Sequence, residues 1–191
     1  MKKVKFEMTD WCKIYSMLNK LVNKFKKNGF EPDLIIGLSK GALVPTAILL
    51  DRLGIECQVI GVRYYKNIYE VEKTPKIVQH IPNRVDGKKI LLVDDVSDTG
   101  QTLKFIKEYL FEKGAVEIKT CTLHYKPWSL IKPDYYVEET STWVIYPWEI
   151  NETVRYLVNK FESRGIVNKD IIYEIGKTGI PLKIILRNID Q

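Results

Sequence analysis

The chain has 191 residues, 45% of them hydrophobic and 28% charged, which is the size and composition of one globular core domain with room for an appendage. Its apolar runs are too short to span a bilayer and no signal-type segment follows Met1-Lys2-Lys3, so we predict a cytoplasmic protein without a membrane partner. The formal net charge of +6 suits an anionic partner. Three widely spaced cysteines lack metal-type or disulfide-type spacing and are predicted to be reduced packing residues: Cys12, Cys57 and Cys121.

The first predicted element is an amphipathic helix over residues 10–28, which Gly29 ends. Eight lysines and two acidic residues fall in the first 30 positions. A nucleic-acid-binding face would explain this charge, but four of the lysines recur at near-helical spacing opposite apolar residues. That spacing favours a solvated helix face, so nucleic acid is not an expected partner.

Strands and helices then alternate along the chain. The pattern predicts strands over residues 34–38, 58–64, 90–93, 117–124, 135–138 and 143–146, helices over 44–53 and 102–113, and a strand-like alternation over 76–81. This order predicts an α/β fold with a doubly wound, mainly parallel sheet. From residue 151 onward the pattern is helical, with Asn151 and Asn168 able to cap two helices and Pro181 able to open a third. We therefore predict a core over residues 1–150 and a C-terminal helical extension over 151–191.

The most informative segment is residues 90–103, ILLVDDVSDTGQTL. Its apolar start predicts a buried parallel strand that ends in two adjacent carboxylates, Asp94 and Asp95. A loop of small polar residues and the start of a helix follow: Ser97, Asp98, Thr99, Gly100, Gln101 and Thr102. Ligands of open α/β sheets bind beyond the carboxyl ends of strands, and N–H groups and hydroxyls at a helix N-terminus suit a phosphate monoester. Paired carboxylates suit sugar hydroxyls or a hydrated Mg²⁺.

Three other kinds of site begin in a similar way. A P-loop is excluded because Gly100-Gln101-Thr102 lacks the lysine and the preceding glycine, and a dinucleotide-binding fingerprint is excluded because its glycine spacing is absent. A receiver domain also has paired aspartates at a strand end, but a Ser-Asp-Thr-Gly-x-Thr loop would be unusual there. A core strand followed by a polar turn without function is the remaining alternative.

The segment resembles the signature of type I phosphoribosyltransferases, which bind phosphoribosyl pyrophosphate (PRPP): two acidic residues after a strand, then Asp/Ser-Thr-Gly-x-Thr. The resemblance implies the type I fold with a small hood, and Mg²⁺ as cofactor. It also implies that Asp94 and Asp95 order the ribose hydroxyls and help hold the metal. Residues 97–102 would bind the 5′-phosphate, and Asp98 would be catalytic, facing N7 of a purine and shuttling its proton.

Residues 33–45, DLIIGLSKGALVP, resemble the pyrophosphate loop of 6-oxopurine phosphoribosyltransferases, which is usually Ser-Arg-Gly-Gly. The resemblance assigns Ser39, Lys40 and Gly41 to the pyrophosphate. Here Lys40 replaces the arginine and Ala42 replaces the second glycine, and lysine contacts phosphate without bidentate geometry. The family's loop often carries a non-proline cis peptide bond, which would fall on one side of Ser39.

Two later segments resemble the base-binding parts of the same enzymes. A lysine at the position of Lys126, after a strand, donates to the purine O6 in 6-oxopurine enzymes. In residues 143–149, WVIYPWE, Trp143 would stack on the purine and the carbonyl of Val144 would meet its 2-position. Glu149, where the family more often has aspartate, would help bind a second Mg²⁺.

The polar stretch that Tyr64 and Tyr65 open corresponds to the family's mobile lid, which excludes water from the reacting groups. The family commonly has a Ser-Tyr pair here, and Tyr64 replaces the serine. A plain β-hairpin is the alternative for this stretch.

The resemblance as a whole implies a purine phosphoribosyltransferase of nucleotide salvage. Such an enzyme transfers the phosphoribosyl group of PRPP to hypoxanthine, guanine or xanthine and releases the nucleoside monophosphate and pyrophosphate. Lys126 favours a 6-oxo group, because a 6-amino group would set a donor against a donor. Family members are commonly dimers or tetramers, so a homodimer or homotetramer is expected.

Two alternatives stay open. A helical C-terminal extension resembles some archaeal purine phosphoribosyltransferases, among which adenine-specific members exist, so adenine is the alternative base. Other proteins of this fold are transcriptional regulators that bind PRPP or nucleotides, which is the second alternative.

Overall fold

The computed structural model describes residues 5–67, 70–82 and 84–189, with the side chains of all these except 65–67, 70–73 and 168. The chain divides into two compact units, one of Tyr15–Ser141 and one of Met1–Ile14 with Thr142–Gln191. The elements in chain order are β1 (Phe6–Met8), α1 (Trp11–Asn28), β2 (Leu34–Ser39), α2 (Leu43–Leu53), β3 (Glu56–Asn67), β4 (Glu70–Gln79), β5 (Lys89–Ser97), α3 (Gln101–Glu112), β6 (Glu117–Tyr125), β7 (Glu138–Glu139), β8 (Trp143–Ile145), α4 (Ile150–Glu162), α5 (Asn168–Gly176) and α6 (Leu182–Ile189).

A six-stranded sheet organises the Tyr15–Ser141 unit, in the order β4-β3-β2-β5-β6-β7. Strand β4 pairs antiparallel with β3, and the other neighbours pair in parallel. The chain steps from β2 through α2 to β3 in one direction and from β5 through α3 to β6 in the other. Right-handed crossovers therefore put α2 and α3 on opposite faces, which confirms the predicted doubly wound sheet.

The central strands are apolar because both faces of the sheet are covered. Residues 34–38 of β2 and 90–93 of β5 are all buried, as expected for parallel strands with helices on both sides. Strand β2 lies between β3 and β5, with Leu34 in register with both Glu56 and Ile90. The strand order reverses between β2 and β5, so the carboxyl ends of these two strands form the switch point where ligands of such sheets bind.

The second unit contains the short parallel pair β1–β8 and the three C-terminal helices. Helices α4, α5 and α6 pack around a buried cluster: Ile145, Val154, Leu157, Val158, Ile171, Ile175, Ile180 and Ile185. Tyr146 and Trp148, which follow β8, stack with ring centroids 4.8 Å apart. The predicted division at residue 150 stays a prediction, and in the structure β8 belongs to the same unit as the helices that follow it.

One strand was not predicted, and several local predictions differ from the structure. Of the strand predicted over residues 135–138, only Glu138 lies in a strand, β7, and β5 continues through both aspartates to Ser97, beyond the predicted end at residue 93. Strand β1 was not predicted, because three residues carry too little alternation to be recognised. Asn151 lies inside α4, whose N-cap is Glu149, and Val167 rather than Asn168 occupies the N-cap of α5. Cys12 is exposed and so is no packing residue, whereas Cys121 is buried.

The helices were compared with the length and apolar character of membrane-spanning segments. Within the part of the chain that the structure describes, no helix combines the length and the apolar character needed to cross a membrane.

A carboxylate clamp holds the segment after residue 131 against β6. Asp134 Oδ2 accepts hydrogen bonds from the backbone N and the hydroxyl of buried Thr120, each at 2.8 Å. Burial of the Asp134 carboxyl opposes its charge, but the hydrogen bonds from Thr120 and the nearby Lys107 and Lys119 outweigh burial and lower its pKa. The clamp therefore stabilises the fold more when Asp134 is ionised than when it is protonated.

We expect Asp134→Ala to lower the free energy of unfolding by about 1–3 kcal/mol at pH 7, because the backbone N–H and the hydroxyl of Thr120 both lose their acceptor. The difference from the wild type should be constant above the ordinary pKa of 3.8 and shrink as the pH falls below it through the lowered folded-state pKa. Urea unfolding of both proteins between pH 3 and 7 measures this difference in the free energy of unfolding. Asp51→Ala, at an exposed position on α2, is the control and should change little. A constant difference at all pH values would contradict the clamp.

Candidate active site

Two helix N-termini lie at the switch point of the sheet. Strand β2 leads into α2 and β5 leads into α3, and the N-cap positions are held by Ala42 and Gly100, which make no side-chain cap hydrogen bond. The first backbone N–H groups of a helix have no partner within the helix and carry a partial positive charge. Helix ends of this kind suit anionic groups such as phosphates. At α2, however, Leu43 N already donates to Lys40 O and Pro45 has no N–H, so this end offers few N–H donors.

The two predicted phosphate-binding segments meet at Gly41 and Asp95. A Cβ built on Gly41 would lie 2.6 Å from Cγ and 2.7 Å from Oδ1 of Asp95, so only glycine allows the loop to lie this close to the carboxylate. The peptide bond between Ser39 and Lys40 is cis, at one of the two predicted positions. Lys40 is exposed beside this contact. The loop after β2 and a carboxylate of β5 thus lie in direct contact.

The acidic pair is tied to its own backbone. Asp94 Oδ1 accepts from Asp95 N at 3.0 Å, and Asp95 Oδ1 accepts from Val96 N at 2.7 Å. Burial, together with the charge of Asp95, raises the pKa of Asp94 well above its ordinary value. Two carboxylates that disfavour each other's charge form a donor set that would accept a cation or sugar hydroxyls.

The loop after β5 is held in place by residues 126–131. Lys126 N donates to Ser97 O at 3.0 Å, and Leu130 N donates to Thr99 O at 2.9 Å. The hydroxyls of Ser97 and Ser129 are 2.8 Å apart. These contacts fix the predicted 5′-phosphate loop from outside its own strand and helix, and sequence analysis did not identify them.

Gly100 is the residue that permits this close packing. Its φ of +77° lies in the left-handed region, and a Cβ there would be 2.5 Å from Ser129 Oγ, 2.7 Å from Ile131 N and 3.0 Å from Leu130 N. The glycine of the signature is therefore required twice, by its backbone conformation and by its neighbours.

Lys126 and Asp98 lie on the two segments that these contacts join. Lys126 is only 6% exposed, and its Nζ is 5.7 Å from the ring centroid of Trp128. Trp128 Nε1 donates to Asp98 Oδ1 at 3.0 Å. The predicted base-recognising lysine and the predicted catalytic carboxylate therefore contact the same indole, a residue that sequence analysis missed.

The remaining predicted base-binding residues belong to the other unit. Trp143 is half-buried and Val144 is buried on β8, and the Trp143 Nε1 has no hydrogen-bond partner among the described residues. Glu149 Oε1 accepts from Tyr146 N at 3.3 Å. The second-metal role of Glu149 stays a prediction.

The predicted lid begins within a strand. Tyr64 is half-buried on β3, which pairs antiparallel with β4, and the side chain of Tyr65 lies outside the described residues. The long strand pair agrees with the hairpin alternative for this stretch, and a lid role stays a prediction.

Comparison with known proteins decides the family. Residues 7–154 match the Phosphoribosyl transferase domain family. The chain belongs to this family. It is 38% identical over 94 residues to a hypoxanthine-guanine phosphoribosyltransferase of Aquifex aeolicus, covering 48% of this chain and 52% of that one. It is 32% identical over 120 residues to a xanthine-guanine phosphoribosyltransferase of Idiomarina loihiensis, covering 61% of this chain and 71% of that one.

A solved structure agrees with these sequence relatives. The purine phosphoribosyltransferase from Pyrococcus horikoshii Ot3 superimposes with a TM-score of 0.68 at 36% identity, covering 75% of this chain and 93% of that one. The chain thus has the fold of a purine phosphoribosyltransferase, although it spans only about half the length of the Aquifex relative.

The packing at Gly100 predicts a severe effect of one methyl group. Gly100→Ala should lower stability by about 1–2 kcal/mol through backbone strain and by a further 1 kcal/mol or more, roughly, through overlap with residues 129–131. Affinity for PRPP should fall because the loop shifts. Urea unfolding and calorimetric titration with PRPP measure both.

Gly87→Ala is the matched control. Gly87 also has a left-handed φ, +71°, but a Cβ there would meet nothing within 4 Å. Its variant should show the strain alone and bind PRPP normally. Equal effects of the two substitutions would show that the contacts of Gly100 are unimportant.

Proposed function

We propose that the protein is a purine phosphoribosyltransferase that transfers the 5-phosphoribosyl group of PRPP to a 6-oxopurine. The observation that carries the proposal is the contact between Gly41 and the Asp95 carboxylate, because it joins the two family motifs in one site. The two sequence relatives, a hypoxanthine-guanine and a xanthine-guanine phosphoribosyltransferase, support the same class of base.

The residues proposed to bind PRPP lie at the carboxyl ends of β2 and β5 and at the start of the loops and helices that follow them. The N–H groups at the start of α3, with Thr99 and Thr102, would hold the 5′-phosphate, and Ser39, Lys40 and Gly41 would hold the pyrophosphate. Asp94 and Asp95 would accept hydrogen bonds from the ribose hydroxyls. Two anion sites with carboxylates between them match the charge distribution of PRPP.

The residues also fit a divalent cation. The crowded Asp94–Asp95 pair, in which burial and mutual repulsion disfavour charge, is a donor set that a hard cation such as Mg²⁺ stabilises, and Glu149 is proposed for a second ion. The chemistry such a cation supplies is neutralisation of the charge on the leaving pyrophosphate.

The protein's own work is positioning and proton transfer. Phosphoribosyl transfer requires the base nitrogen and C1′ to be held in line, with water excluded. Asp98 would accept or return the proton at N7 of the purine while Lys126 donates to O6. Trp143 would stack on the base and the Val144 carbonyl would meet its 2-position.

A role in purine salvage, assembly as a homo-oligomer and a cytoplasmic location accompany this proposal as predictions from the sequence. Adenine stays the alternative base, and Lys126 argues against it because a 6-amino group would leave a buried donor without an acceptor.

A panel of bases tests the proposal. Purified protein, Mg²⁺ and PRPP would be mixed separately with hypoxanthine, guanine, xanthine, adenine, uracil and orotate, and nucleotide formation followed by absorbance. We expect turnover with one or more 6-oxopurines and none with adenine. Lys126→Met should lower kcat/KM for the active base at least about tenfold, whereas the exposed Lys104→Met control on α3 should not.

Each other outcome has a defined meaning. Turnover with adenine alone would keep the reaction and overturn the choice of base. Tight binding of PRPP without turnover of any base would favour the regulator alternative.

The role of Asp98 has its own test. Asp98→Asn should lower kcat by about 10²–10⁴-fold, because general acid–base catalysis is lost. Its affinity for PRPP, measured by calorimetry, should stay within about twofold, since the amide keeps the shape of the side chain. Undiminished turnover would rule out the proton-transfer role.

A further inference from the structure

Trp128 is a large aromatic residue whose side chain is only partly buried. It is 54% exposed, although it lies between Pro127 and Ser129 in the segment that packs on the phosphate loop. Burial of apolar area therefore explains only part of its presence. The polar end of the indole, rather than its apolar face, makes the informative contact.

That polar end is directed at the proposed catalytic carboxylate. Trp128 Nε1 donates to Asp98 Oδ1 at 3.0 Å, a normal length for a hydrogen bond to a charged acceptor. The ring of the same indole lies 5.7 Å from Lys126 Nζ, within cation–π range. One side chain thus touches both groups that would act on neighbouring atoms of one edge of the base, N7 and O6.

The backbone around Trp128 is anchored on both sides. Lys126 N bonds to Ser97 O, and Leu130 N bonds to Thr99 O, so the two residues that flank Asp98 hold the segment that carries the indole. The Ser97–Ser129 hydroxyl contact adds a third link. Because these links do not involve the indole, its removal should leave the two loops in place.

We propose that Trp128 is a positioning residue that holds the Asp98 carboxylate in the orientation needed for proton transfer at the base; this inference rests on the proposed function. A carboxylate on a loop has several rotamers of similar energy, and a fixed N–H donor selects one of them. Trp128 acts through Asp98 and contributes to turnover rather than to the binding of PRPP.

The test is a double-mutant cycle with Trp128→Phe and Asp98→Ala. Phenylalanine removes the N–H donor and keeps an aromatic ring beside Lys126, and alanine removes the acceptor. The control is Tyr15→Phe, since Tyr15 is 48% exposed on α1 and is not among the residues of the proposed site. For each protein kcat, KM for PRPP, KM for the base and the melting temperature would be measured.

We expect Trp128→Phe to lower kcat about tenfold with both KM values within about twofold, since a hydrogen bond to a charged group is lost. In the Asp98→Ala background the same substitution should have no effect. Tyr15→Phe should behave as the wild type. An unchanged kcat in Trp128→Phe would overturn the proposal.

Two further outcomes are also decisive. An equal loss of kcat with and without Asp98 would overturn the proposal, because the indole would then act on the loop rather than on the carboxylate. A wild-type protein that turns over no base would overturn the proposed function and this inference with it. If the wild type is active and Trp128→Phe has the same kcat, the inference alone is overturned.

Discussion

The close approach of Gly41 to the Asp95 carboxylate is the contact on which the rest of the site depends. It exists because β2 and β5 are neighbours at the point where the strand order reverses, so that loops leaving both strands emerge side by side. A larger residue at position 41 would overlap the Asp95 carboxylate and displace it from this position. Topology thus brings the N-termini of α2 and α3 to the same edge of the sheet, and Gly41 leaves room there for the Asp95 carboxylate.

Electrostatics gives this arrangement its chemical character. The N-termini of α2 and α3 carry partial positive charge, whereas Asp94 and Asp95 between them are crowded enough that the pKa of Asp94 is raised. Positive and negative features alternate over a short distance. Such alternation suits a ligand whose phosphates flank a hydroxyl-bearing sugar.

Much of this could be predicted from sequence, for identifiable reasons. The apolar residues before Asp94 and the small residues after it carry local signals of burial and helix start, so β5 and the start of α3 could be predicted without a structure, whereas the roles of the site residues stay predictions. The Trp128–Asp98 hydrogen bond joins residues 30 positions apart, and the Asp134–Thr120 clamp joins residues 14 positions apart. Local periodicity in the sequence cannot predict such contacts. Caps at Asn151 and Asn168 were mispredicted because residue preference does not fix where a helix begins.

Strand β1 has a consequence for the order in which the chain can fold. Its partner is β8, with Phe6 in register with Trp143, so the strand is synthesised long before its partner exists. Bringing such distant residues together carries a large loop-closure cost, which only the completed β8 and the helices after it can offset. All the strands of the six-stranded sheet lie within Tyr15–Ser141, so they are synthesised before β8. Strand β1 can therefore pair only after residues 143–145 have been synthesised, so we expect the first strand made to be among the last to fold.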